Sequence, residues 1–186
     1  RIGKMTNLRN SLTRFQRDTS GTVKIEFVII APLLFAWILG AFVFFDAYKH
    51  YSRSAKASYA IADIMSRQLD MDITRLLNMH DLMDALIPWS DSNKWIRISS
   101  VSYDADDGYQ VLWSHASGTN EVLTTDSLTT ATINHFPEIA AGDTIIYTET
   151  SVPYRPLLKS FGLSGLTWRN RIAVRPRYVM SIASLD

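Results

Sequence analysis

The sequence predicts an α+β protein: an N-terminal transmembrane helix that runs on into a long helix, then an antiparallel sheet domain with helices on one side. Three observations carry this. Residues 27–45 are nineteen consecutive uncharged, mostly large apolar residues. No proline or glycine interrupts residues 41–87, where apolar and small residues recur at helical spacing. From Trp95 onward, apolar and polar residues alternate in the two-residue rhythm of strands.

The apolar run comes first. As an α-helix at about 1.5 Å per residue it measures roughly 28 Å, close to the hydrocarbon core of a bilayer at about 30 Å. A lipid bilayer is therefore its expected partner. Arg1, Lys4, Arg9, Arg14, Arg17 and Lys24 precede the run, and Lys49, Arg53 and Lys56 follow it. That excess of basic residues favours a cytoplasmic N-terminus and a single pass. The expected division is a basic cytoplasmic leader over 1–21, a transmembrane helix over 22–46, extramembrane helices over 47–88 and an α+β domain beyond the membrane over 89–186. A cleaved secretory signal is the competing reading. Its nearest small-x-small site, Ala55-Lys56-Ala57, stands well past the apolar end in a charged, helically patterned stretch.

Beyond the run, Tyr48, Tyr51, Ala55, Ser58, Ala62, Met65 and Leu69 recur at steps of three and four, as one helix face requires. That face packs either on the chain's own domain or on a partner subunit. Asp70-Met71-Asp72 reads as a break with an N-cap. A second helix follows, with an apolar face of Leu76, Met79, Leu82, Met83 and Leu86, ended by Pro88.

Four strands are expected next, over 95–103, 109–115, 144–152 and 168–183, the last bent at Pro176. Asp104-Ala105-Asp106-Asp107-Gly108 is a hairpin turn. It is not a calcium loop, since the glycine falls too early and His115 occupies the twelfth position. Residues 116–143 are rich in Ser, Thr, Gly and Asn, with a short helix expected over 127–136, and residues 154–162 form a turn with a short amphipathic piece.

The composition narrows the function classes. A net charge of +1 gives no electrostatic case for nucleic acid as a partner. With no cysteine there are neither disulfides nor thiolate metal sites. His50, His80, His115 and His135 are isolated in sequence. Asp104, Asp106, Asp107, Glu121 and Glu149 form no recognisable acid–base pair, and no nucleophile elbow or phosphate loop occurs. The chain is expected to be neither an enzyme nor a cofactor or metal protein.

Glu26 does not belong to a plain anchor. A carboxylate is costly at mid-bilayer, about 3 kcal/mol on insertion scales, and far cheaper at the interface. One reading pairs Glu26 locally with Lys24. The other takes it as an assembly group. The string Gly21-Thr22-Val23-Lys24-Ile25-Glu26-Phe27, behind a basic leader and ahead of a long apolar run, resembles the processing site of type IV prepilins. The wider pattern, with Pro32 five residues after Phe27 and then Leu33 and Leu34, resembles the TadE/TadF/TadG family of the tight-adherence, Flp-type pilus system. Lys24 stands where that family is usually small or apolar. No Asp-x-Ser-x-Ser metal motif of the larger TadG type occurs, so the likeness is to a small TadE/TadF-type pseudopilin.

The resemblance implies a pilin-like fold and cleavage between Gly21 and Thr22 by a prepilin peptidase. It implies a bacterial inner-membrane location with a periplasmic domain, and other pilus or pseudopilin subunits as partners. It makes Glu26, Phe27 and Pro32 the residues of subunit register and assembly. Cleavage would free an α-amine on Thr22, and an amine facing the Glu26 carboxylate of a neighbour in low dielectric would fix axial register between helices. An envelope-anchored module that binds a ligand or polymer, unrelated to pili, is the alternative. The aromatic residues Trp95, Tyr103, Tyr109 and Trp113 would serve it.

Overall fold

The structure is a computed structural model that describes residues 20–88, 93–118, 120–156, 163 and 165–185, with side chains described from residue 25. Most of the leader over 1–21 and most of the piece over 154–162 lie outside the described residues. The chain divides into two units, residues 1–44 and 45–186. The first contains the beginning of helix α1, Ser20–Met65, which passes unbroken through Pro32. Most of its large apolar side chains are exposed, Phe27, Leu33, Phe35 and Trp37 among them, while Val43 is buried. In the most apolar window of the helix only 11% is buried. A helix apolar all round and uncovered is suited to lipid.

The second unit is an α+β domain. After α1 come β1 (Asp70–Met71), α2 (Ile73–Leu86), β2 (Trp95–Asp104), β3 (Gly108–Ala116), a single 3₁₀ turn over Thr125–Ser127, α3 (Thr130–Ile133), β4 (Thr144–Pro153), β5 (Thr167–Val174) and β6 (Ala183–Ser184). The sheet is antiparallel, in the order β3-β2-β4-β5.

Local chemistry explains the joints. Asp72 caps α2, its carboxylate accepting the backbone N–H of Arg75 at 2.7 Å. The β2–β3 turn closes on Gly108, at φ +75°, which a residue with a Cβ rarely adopts. Asp104 Oδ1 accepts the N–H of Asp106 at 2.9 Å, so this carboxylate braces the turn. One residue too many on β3 makes a bulge: Ser100 opposes Trp113 and Val101 opposes Val111, leaving Leu112 half exposed.

Register sorts the side chains onto two faces. Ile96 and Ile98 of β2 and Ile146 and Val152 of β4 form one core with Ala57, Ile61 and Met65 of α1 and Leu76 and Met83 of α2. On the opposite face Val101, Ile145 and Tyr147 meet Leu123, Leu128, Phe136 and Ile139 from the 120–143 segment. The α1 side of the first core is partly polar. Ser58 Oγ lies 2.6 Å from Thr150 Oγ1, and Asn170 Nδ2 donates to Ser54 Oγ at 2.8 Å. Small residues on α1 let helix and sheet approach closely.

Several expectations need correction. The buried stripe of α1 is Ser54, Ala57, Ser58, Ile61, Ala62 and Met65, whereas Tyr48, Tyr51 and Leu69 are exposed. The stripe packs on the chain's own sheet, and Ala57 lies in the core. A signal-peptidase cut at Ala55-Lys56-Ala57 would split that packed helix. On α2, Leu86 is exposed and Ile87 takes the buried place. The helix expected over 127–136 is only a 3₁₀ turn and one α-turn, the latter capped by Thr129. The fourth strand ends at Val174 rather than bending through Pro176 to residue 183. Arg175 and Pro176 leave the ladder, and the backbone N–H of Arg177 donates to Ser66 O at 2.8 Å. Ala183 and Ser184 then pair in parallel with Asp70 and Met71.

Candidate functional site

The residues expected to govern processing and assembly all lie at the start of α1. Gly21 and Thr22 are in its first turn. Glu26, Phe27 and Pro32 are exposed, and Phe27 retains 70% of its surface. Glu26 has no hydrogen bond or ion pair among the described residues. The side chain of Lys24, its expected local partner, is outside the described set. The helix thus presents one carboxylate a single residue before the apolar run, with no large apolar side chain from Phe27 to Phe35 covered.

The second unit holds a site that sequence reading missed. Arg97 on β2, Glu149 on β4 and Arg171 on β5 lie in one cross-strand row, since Arg97 pairs with Glu149 and Glu149 with Arg171. The next row is Trp95, Ser151 and Arg169, on the same face. The Glu149 side chain is only 8% exposed. A buried carboxylate is tolerable only if paired and hydrogen-bonded, and Glu149 is both. Its Oε2 accepts from Arg97 Nε at 2.6 Å and from the second arm of the same guanidinium. Its Oε1 faces Arg171 Nε at 3.3 Å and accepts from Tyr147 Oη at 3.3 Å. Burial, reinforced by the neighbouring carboxylate, pushes the Tyr147 hydroxyl pKa well up, so it stays a donor. Arg97 also donates from its free arm to Glu121 O at 3.0 Å and lies 5.8 Å from the Trp95 ring centre.

These groups floor a cavity of about 370 Å³. Arg97 is committed to Glu149 and the Glu121 carbonyl, and the terminal nitrogens of Arg171, which make no hydrogen bond among the described residues, have chemistry suited to holding an anion. Sequence separation concealed it: the row joins positions 97, 149 and 171, and only register brings them together. The one signal in the sequence is a charged residue inside each of three strand patterns. Among the described residues no group of three or more His, Asp or Glu is placed to hold a metal. The four aromatic residues expected to serve binding diverge. Tyr103 and Tyr109 meet at a tilt, ring centres 4.9 Å apart, beside the second core, Trp113 donates to Ile182 O at 2.7 Å, and Trp95 lines the cavity.

No family model, no curated protein and no solved structure matches the chain.

Proposed function

We propose that the chain is a single-span subunit of a Tad/Flp-type pilus apparatus, a small TadE/TadF-like pseudopilin with a pilin-like build. Its membrane is the bacterial inner membrane, with the N-terminus cytoplasmic and the 89–186 domain periplasmic. Its role is structural rather than enzymatic. A prepilin peptidase cuts between Gly21 and Thr22, and the mature helix associates with other pilus or pseudopilin subunits, within the filament or in its assembly machine.

The observation that carries this reading is Glu26: an exposed carboxylate at the head of an otherwise uncovered apolar helix. Lipid gives such a group no partner, and a neighbouring subunit's α-amine does. Phe27 and Pro32 keep the spacing of the family resemblance, and the helix leads into an α+β domain with its own core.

The test uses the native host. The mature protein is expected to begin at Thr22, and an N-terminus retaining residues ahead of Gly21 contradicts processing. Glu26→Gln is expected to abolish piliation while the protein still inserts in the membrane and folds. Normal pili in that variant remove Glu26 from the mechanism.

A further inference from the structure

The cavity over the Arg97–Glu149–Arg171 row shares lining residues with two others. It shares Trp95 and Asn120 with a cavity of about 440 Å³ on one side. It shares Arg169, Asn170 and Arg171 with a cavity of about 500 Å³ on the other, walled by Tyr51 and Tyr59 of α1 and by His135. Each of the three cavities is in the size range of a small-ligand site, and their shared residues place them side by side, as successive subsites for a linear ligand would be.

The lining gives the chemistry. Trp95, Tyr51 and Tyr59 supply flat apolar faces, on which the C–H face of a sugar ring can rest. Asn93 and Asn120 supply amides that both donate and accept, as hydroxyl groups require, whereas the Asn170 amide is committed to Ser54 and Thr150. The guanidiniums supply positive charge in a fixed position. Arg97 is spent on Glu149 and Glu121. Arg171 turns only its Nε toward Glu149, which leaves the fork of its terminal nitrogens without a hydrogen bond among the described residues. Arg169, two residues along the same face of the same strand, is exposed and has no partner among the described residues. Glu149 is buried beneath them and satisfied, so it orients the arginines rather than repelling a ligand. Glu121 is the one exposed carboxylate in the central cavity.

We infer that this row of cavities binds a linear acidic saccharide, with sugar rings against Trp95 and the α1 tyrosines and carboxylates on Arg169 and Arg171. The inference is independent of the pilus reading, because it rests on residues 51–171 alone. The chief rival occupant is an acidic peptide added as a strand to the open edge of β5. Alternating arginines on an edge strand oppose strand addition, so the saccharide is favoured.

The experiment uses the full chain in detergent micelles, titrated by calorimetry with an oligogalacturonate. Arms run in parallel are a neutral gluco-oligosaccharide of equal length, a polyglutamate peptide and inorganic phosphate. The acidic saccharide is expected to bind, and each of the other ligands to bind at least about tenfold more weakly. Arg169 has no hydrogen bond or ion pair among the described residues, so Arg169→Gln should keep the fold by circular dichroism, and affinity should fall about tenfold, as for loss of one charge-assisted pair. Four results each overturn the inference: no binding of the oligogalacturonate, equal binding of the neutral saccharide or the peptide, equal binding of phosphate, or an Arg169→Gln variant with unaltered affinity.

Discussion

Residues 25–45 and residues 47–65 belong to one helix and obey opposite rules. The first stretch turns most of its large side chains outward, Phe27 at 70% exposed and Trp37 at 72%, with Val43 the buried exception. The second hides one stripe of mostly small residues, with Ile61 and Met65 fully buried, and shows Tyr48, Lys49, Lys56 and Tyr59 to solvent. Helix formation is the same in both. Their surroundings differ: the first is long and apolar enough to cross a membrane, and the second packs on the chain's own sheet. A helix can therefore serve as anchor and as core element at once, provided the side-chain pattern changes along its length.

That contrast can be broken at either end. The largest effect is expected from Ile61→Ala, which opens a cavity in the core shared by α1, α2 and the sheet. It should destabilise the domain by about 2–5 kcal/mol and leave membrane association untouched. Chemical denaturation followed by near-ultraviolet dichroism measures the first, and fractionation the second. Phe35→Arg should do the reverse. A charge in mid-span costs about 2.5–3.5 kcal/mol on insertion scales, so membrane-bound protein should fall while the domain's denaturation midpoint holds. If either variant disturbs both readouts equally, the two stretches are not separate in their energetics.

Smaller changes sharpen the account of the domain. Asp72→Ala removes the cap of α2 and should cost about 1 kcal/mol, read as a lower denaturation midpoint. Tyr154 Oη donates to Asp46 Oδ2 at 3.0 Å. Burial first, then that hydrogen bond and the carboxylate's charge, push the Tyr154 pKa from 10.0 up to about 12. The neutral hydroxyl is thus favoured by the fold. Its contribution should be complete below pH 10 and decline as the pH rises toward 12. Denaturation midpoints of the native chain and of Tyr154→Phe should draw together over that window. A constant gap between them would place the effect elsewhere.

Much of the fold was legible because its signals are local. The apolar run needs only counting. Asp72 announces a cap, and Asp104 to Gly108 a turn. The misreadings came where tertiary packing overrides local pattern. Tyr48, Tyr51 and Leu69 have the spacing of a face, yet the sheet selects the stripe through Ser54, Ala57 and Ser58, whose small side chains admit the close approach of strand β4. The strand pattern over 168–183 hid the exit at Pro176, because the parallel pairing of Ala183 with Asp70 is a contact between distant segments. The residues proposed for processing and assembly, Gly21, Thr22, Glu26, Phe27 and Pro32, stand close together in the sequence. The arginine row was not legible, because Arg97, Glu149 and Arg171 become neighbours only through the register of three strands.

The central claim is that residues 25–45 hold the protein in a bilayer as one integral span. The most direct measurement is extraction of native membranes with alkaline carbonate in the absence of detergent. Full-length protein that stays with the membrane pellet, and is released only by detergent, is the predicted result. Recovery of intact chain in the aqueous fraction contradicts the account.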